Sequence, residues 1–273
     1  MTPPRYNRVA ERLSWALVPL MAAASLTGLL WDGLYRDAEW AKAAWFGNDL
    51  VTLLVAVPTL VVALVLFRRD SRRGELLWYA MIGYAVYNYA FYLFGARMNE
   101  LFPLYVLLFV LPVIVLILAL GRLDAEAIAD EFSPSTPVRW ISAYMVFTGV
   151  GLAVAWTVQW AQWVFAGIEP TIGEEAFTLI ASLDLTFVVP FFLIGAVLLW
   201  RRRPWGYVLA AIMNLKGATY TLVLTAASAV GAARGIEGSA EQVPVWAVWT
   251  FVGLAATVAL LAGVRAGNTR GST

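Results

Sequence analysis

Apolar residues run along this chain in blocks of about twenty, the length that crosses the hydrocarbon core of a bilayer as a helix. Eight such blocks cover residues 13–31, 49–67, 76–96, 102–120, 141–165, 182–200, 205–229 and 245–264. Short clusters of arginine, acid, glycine and proline break them apart. Arg68-Arg69-Asp70-Ser71-Arg72-Arg73 separates the second and third blocks, and Arg201-Arg202-Arg203-Pro204 the sixth and seventh. Proline suits the first turn of a helix, where its missing N–H has no partner to lose, so Pro204 marks a helix start. The pattern predicts an all-α polytopic integral membrane protein with eight transmembrane helices. The first block follows a basic start, as a signal peptide does. Its apolar part is longer than that and no polar cleavage region follows, so it reads as an uncleaved helix.

With eight crossings, arginine sorts the ends. Arg5, Arg8, Arg12, Arg68, Arg69, Arg72, Arg73, Arg122, Arg139, Arg201, Arg202, Arg203, Arg265 and Arg270 all fall on one side. The other side holds only Arg36, Lys42, Arg97 and Arg234 as cations. The positive-inside rule then places both termini in the cytoplasm of a cell-membrane protein. Trp31, Trp40, Trp45, Trp156, Trp160, Trp163, Trp246 and Trp249 gather toward the outer ends, as an interfacial aromatic belt does. The outer segments 32–47 and 167–181 mix aromatic or aliphatic residues with charges, which predicts short interfacial helices. Residues 123–138 are acidic and then read Ser-Pro-Ser-Thr-Pro, the composition of a flexible cytoplasmic linker.

The two sides of that linker echo one another. Tyr79, Asn88 and Tyr92 have the spacing of Tyr207, Lys216 and Tyr220. Glu100-x-x-Pro103-x-Tyr105 matches Glu241-x-x-Pro244-x-Trp246, and Pro58 before Arg68-Arg69 matches Pro190 before Arg201-Arg202, one residue out of step. Ser14 and Ser142 hold the same early place in the first and fifth blocks. The order of matches predicts two tandem four-helix repeats, residues 1–122 and 139–273. An even number of crossings per copy makes the repeats parallel, and their interface is where transporters place substrate.

Composition narrows the chemistry. The 273 residues are 61% hydrophobic and 14% charged, against about 25% charged in a soluble domain. A net charge of +1 points to no nucleic-acid partner. There is no cysteine and no histidine, which removes thiolate chemistry, disulfides, histidine general bases and the usual zinc and haem ligands. No cofactor or metal is implied, and proton chemistry is left to carboxylates, tyrosines and one lysine.

That lysine is Lys216, in the middle of the seventh block within Met213-Asn214-Leu215-Lys216-Gly217. A cation at mid-bilayer costs about 2.5–3.5 kcal/mol on insertion scales, so such residues face the protein interior and pair. Asp184 enters the sixth block at a depth differing by about 9 Å at 1.5 Å per residue, which leaves a Lys216–Asp184 pair open. A structural ion pair or a snorkelling lysine is the plainer reading. Asp49 and Asp184 both also read as helix-start acids. Tyr84, Tyr87, Asn88, Phe91 and Tyr92 form a polar-aromatic stripe, as do Gln159 and Gln162. Each stripe fits interhelical hydrogen bonding or the wall of a ligand cavity. The small face of Gly217, Thr221, Thr225 and Ser228 reads as a close helix contact. The candidate ligand-binding set is Lys216, Asp184, Asn88, Tyr92, Tyr220, Asn214, Tyr87, Gln159 and Asp49.

The stretch Asp184-Leu185-Thr186-Phe187-Val188-Val189-Pro190-Phe191-Phe192, followed by Trp205 and Lys216, resembles the EXPERA group of emopamil-binding protein and the sigma-2 receptor. That resemblance implies four-helix units enclosing a pocket for sterol-like or cationic amphiphilic ligands, with Asp184 as the pocket acid. Lys216 stands where the group has histidine, which sets sterol isomerisation apart from this chain. The run Tyr87-Asn88-Tyr89-Ala90-Phe91-Tyr92-Leu93-Phe94-Gly95-Ala96 also resembles bacterial multi-pass membrane proteins, which implies architecture and no activity. The leading expectation is a carrier or binding protein for a small organic or lipophilic ligand, in contact with membrane lipid. The alternative is an intramembrane enzyme acting on a lipid or isoprenoid. A retinal Schiff base on Lys216 and a ligand-free scaffold are further readings, and an oligomer is left open.

Overall fold

The computed structural model describes residues 8–170 and 172–265 of the chain. Among these the named elements are all helical. Helix α1 spans Arg8–Leu30, α2 Glu39–Val51, α3 Val57–Arg68, α4 Arg72–Gly95, α5 Phe102–Leu120 and α6 Ala125–Asp130. Then follow α7 Val138–Ala166, α8 Glu174–Leu183, α9 Val189–Trp200, α10 Pro204–Ala233 and α11 Ser239–Ala262. Two π turns, Thr52–Ala56 and Asp184–Val188, join α2 to α3 and α8 to α9, so each pair is one continuous helical rod. Proline explains both. Pro58 and Pro190 each lie six residues beyond the first residue of their π turn. Having no N–H, a proline cannot close the i→i−4 ladder, and the helix widens by a residue ahead of it. The bonds Val57 N–H to Thr52 and Val189 N–H to Asp184 span five residues.

Seven helical stretches are long and apolar enough to cross a membrane: Arg8–Leu30, Glu39–Arg68, Phe102–Leu120, Val138–Ala166, Glu174–Trp200, Pro204–Ala233 and Ser239–Ala262. The chain is a multi-pass integral membrane protein. The expected eight are met in seven. The remaining helix, α4, is not apolar enough, and its burial explains why. Sixteen of its 24 residues are buried, so it packs against protein and tolerates tyrosine and asparagine. Helix α7 is the opposite case, with five of 29 residues buried; its valines and Phe147 lie bare on an outer face.

Three expectations change. The outer segments are not separate interfacial helices: α2 begins at Glu39 and α8 at Glu174, and both run straight into the apolar rods. Asp49 and Asp184 therefore sit well inside rods of 30 and 27 residues, not at helix starts. The linker is docked. Asp124 caps α6, Ile128 and Phe132 are buried, and the Phe132 ring stacks on Tyr207 at 4.3 Å. Charges pin it further. Arg72 pairs with Glu75 and, at 2.7 Å, with Glu131, and Arg202 donates to the Pro134 carbonyl at 2.8 Å. Arg73 reaches the Val264 carbonyl at 2.8 Å, beyond the end of α11.

Helices α4 and α10 lie together at the centre, with α5 and α3 on α4, and α11, α9 and α2 on α10. Closest approaches use small residues. Gly47 of α2 faces the backbone of Ala226 and Ala227 in α10, where a methyl group has no room. The small face of α10 is such a contact as well: Thr250 of α11 donates to Thr221 at 3.0 Å.

Candidate functional site

Lys216, Asp184, Tyr87 and Tyr220 come together where α10, the second π turn and α4 meet. The Lys216 ammonium lies over the Tyr87 ring, 3.2 Å from its centroid, and 5.5 Å from that of Tyr220. Tyr87 donates its hydroxyl to one oxygen of Asp184, and the Trp156 indole N–H donates to the other at 2.9 Å. Phe91 completes the aromatic wall, 5.2 Å from Tyr87 and 5.7 Å from Tyr220. Lys216, Asp184 and Tyr87 are buried, at 5%, 7% and 6% exposed, and Tyr220 is partly buried.

The expected direct pair is not what forms. No nitrogen–oxygen contact within 4.0 Å joins Lys216 to Asp184. One tyrosine stands between them, giving its π face to the cation and its hydroxyl to the anion. A desolvated cation–π contact is worth about 2 kcal/mol and a hydrogen bond to a charged group about 1.5–3 kcal/mol, so Tyr87 binds both charges without letting them meet. Opposite charges held apart in a low-dielectric interior still attract, and both sense one another here.

The π turn aims Asp184. In each rod the first residue of the widened turn meets a tyrosine of α4: Asp184 meets Tyr87, and Thr52 meets Tyr84 at 2.8 Å. Single π turns inside α-helices recur at functional positions.

A cleft of about 440 Å³ opens beside Asp184, lined by Trp156, Trp160, Trp163, Phe177, Ser182 and Leu185 among others. Trp156 belongs to both, as the cleft wall and as an Asp184 donor.

The remaining candidates separate. Tyr92 joins Asp49, not Lys216, donating at 2.8 Å. Asn88 and Asn214 are fully buried, and neither amide has a hydrogen-bond partner. No hydrogen bond joins Asn88 to Lys216 across the α4–α10 interface. Gln159 is set on α7 and bonds only the Ala155 carbonyl of its own helix, at 3.4 Å. Its amide reaches no residue of the Lys216–Asp184 cluster, although Trp156 one turn earlier does. Trp156, and Tyr35, whose hydroxyl donates to Asp49 at 2.5 Å, are residues that sequence reasoning passed over. Trp156 read as belt and Tyr35 as loop, and no linear signal linked either to a carboxylate.

The chain matches no protein-family profile, no curated protein and no solved structure. The class it defines is therefore structural: a helical multi-pass membrane protein with a buried, tyrosine-split charge pair beside an aromatic cleft.

Proposed function

We propose that the protein binds, and as a carrier moves, a small amphiphilic organic molecule. Its apolar body lies in the tryptophan-lined cleft, and its polar head reaches Asp184. One observation carries this: Trp156 both walls the cleft and bonds the buried acid, so a ligand head that displaces that indole meets a carboxylate. Ligand sites are clefts of about 300–1,000 Å³ with aromatic walls and few polar groups, and this cleft fits. Lys216, held back on the Tyr87 face, is the nearby opposite charge. A cationic head therefore suits the site best, in line with the EXPERA resemblance.

The reading includes architecture. Helix α4 is an eighth crossing, supported by contacts at its two ends. Arg73 meets the end of α11, and Arg97, just past its C-terminus, bonds Asp37 after α1. The tandem parallel repeat is supported by the matched π turns and by α4 and α10 side by side. The arginine-rich ends then face the cytoplasm.

The test uses protein in lipid nanodiscs and two probes of equal chain length, dodecyldimethylamine and dodecanol. The amine binds at least about tenfold more tightly than the alcohol, a difference of 1.4 kcal/mol, and Asp184→Asn removes that preference. Equal affinity for both probes, or an amine preference that survives Asp184→Asn, refutes the reading.

A further inference from the structure

A second buried carboxylate, Asp49, has no counter-charge. It is 2% exposed. Among the described residues no lysine or arginine nitrogen lies within 4.0 Å of it. Its neighbours are phenols. Tyr35 donates to one oxygen at 2.5 Å and Tyr92 to the other at 2.8 Å. Trp45 covers Tyr92 at 4.9 Å, and Tyr105 and Tyr89 lie 5.0 and 5.7 Å from it.

Two of these phenols are unfinished. The hydroxyls of Tyr89 and Tyr105 are buried and make no hydrogen bond of proper geometry, although Ser25 lies near the first and Tyr35 and Asn99 near the second. Both lie within electrostatic range of Asp49. An orphaned buried hydroxyl costs about 1–3 kcal/mol, and a carboxylate with nearby hydroxyls offers the hard oxygen ligands that a cation takes. The space is small. Gly28 of α1 packs so closely on Asp49 and Tyr35 that a methyl group at that position has no room.

We infer that the Asp49 cage is a monovalent-cation site, taking a sodium ion or a proton between the Asp49 carboxylate and the hydroxyls of Tyr35, Tyr92, Tyr89 and Tyr105. The groups facing Asp49 are known from every side. Helix α1 presents Ser25 and Gly28, the loop after it Tyr35, α4 Tyr84, Tyr89 and Tyr92, and α5 Tyr105. The cation of α10, Lys216, is engaged over Tyr87. None of these supplies a positive charge, so the bound cation does. Tyr92 and Tyr87 stand five residues apart on α4, about 7.5 Å along its axis, so occupancy of the cage bears on the helix that carries the Lys216–Asp184 site. The cation site does not depend on that site's ligand.

The experiment follows thermal unfolding of the full chain in nanodiscs, with sodium varied against choline at fixed pH, and pH varied without sodium. Infrared spectra report any protonated carboxyl. For sodium, each tenfold rise above the dissociation constant raises Tm by about 3–5 °C, and Asp49→Asn abolishes the rise. For a proton, the protonated-carboxyl band is present in wild type and lost in Asp49→Asn, with no sodium response. Glu237→Gln, on an exposed loop, retains either response. If Asp49→Asn fails to fold, Tyr105→Phe decides. A cation ligand predicts at least a tenfold weaker sodium response or a shifted pH midpoint. An idle orphan hydroxyl predicts no change. Wild type indifferent to sodium and without the carboxyl band overturns the inference, and so does a Tyr105→Phe response identical to wild type.

Discussion

Tyr87 is the most testable residue of the Lys216–Asp184 site, because its two roles come apart chemically. Tyr87→Phe removes the hydroxyl that bonds Asp184 and keeps the ring under Lys216. Tyr87→Leu removes both. A hydrogen bond to a charged group is worth about 1.5–3 kcal/mol in proteins generally. Interhelical polar couplings in a membrane reach about 1.7 kcal/mol at most. The coupling between Tyr87→Phe and Asp184→Asn is therefore expected at about 1–1.7 kcal/mol. Lys216→Met should couple by less than about 0.5 kcal/mol with Tyr87→Phe, the scatter of independent sites, since the ring remains. With Tyr87→Leu it should couple by about 1–2 kcal/mol, the size of a buried cation–π contact. Equilibrium unfolding of the single and double variants in mixed micelles gives the two cycles. Additivity of Tyr87→Phe with Asp184→Asn would show that the hydroxyl does not hold the acid. Equal coupling of Lys216→Met to both Tyr87 variants would show that Lys216 depends on the hydroxyl, not the ring.

Further outcomes follow from the same geometry. Gly28→Ala should destabilise by about 1–3 kcal/mol through overpacking, because the methyl meets Asp49 and Tyr35; Gly151→Ala, in open space on α7, should instead gain about 0.5–1 kcal/mol, and unfolding midpoints compare the two. Phe132→Ala should cost about 3–5 kcal/mol if the linker is part of the core, with faster hydrogen exchange across 125–132; unchanged exchange would restore a free linker. Tyr35, outside the membrane-spanning helices, has its phenol pushed well above the ordinary value, first by burial and then by the Asp49 charge. The folded state then keeps a proton that the unfolded chain loses above about pH 10, so stability falls as pH rises through that point. Tyr35→Phe should flatten the slope by one proton, seen as unfolding midpoints that converge with wild type at high pH.

The class of protein was legible in the sequence, and so were most of its helices. Apolar block length and arginine breaks predict the same helices that form, because a lipid-facing helix must be apolar by composition alone. The exception is α4, read as a full crossing although it is not among the seven helices apolar enough to count as one. A helix wrapped by protein escapes that requirement, and its tyrosines and Asn88 made it look less apolar than its neighbours. Pro58 and Pro190 pointed to distorted helices, since a missing N–H acts locally. That each distortion would be a π turn meeting a tyrosine of α4 depended on a neighbour far away in the chain. The linker's composition spoke for flexibility, and it docks because Phe132 finds Tyr207 and Glu131 finds Arg72.

The sequence by itself determined that the chain is a helical membrane protein, that Lys216 is a costly charge in an apolar span, and that cysteine and histidine chemistry is absent. Those are properties of residues and of windows, set by transfer free energy. Only the tertiary structure decided which tyrosine serves which charge: Tyr87 stands between Lys216 and Asp184, while Tyr92, five residues on, belongs to Asp49. Both lie on one helix with the same side-chain chemistry, and spacing cannot separate them. Their partners come from α10, the second π turn, α2 and the loop after α1, and packing between those elements assigns each hydroxyl its acid.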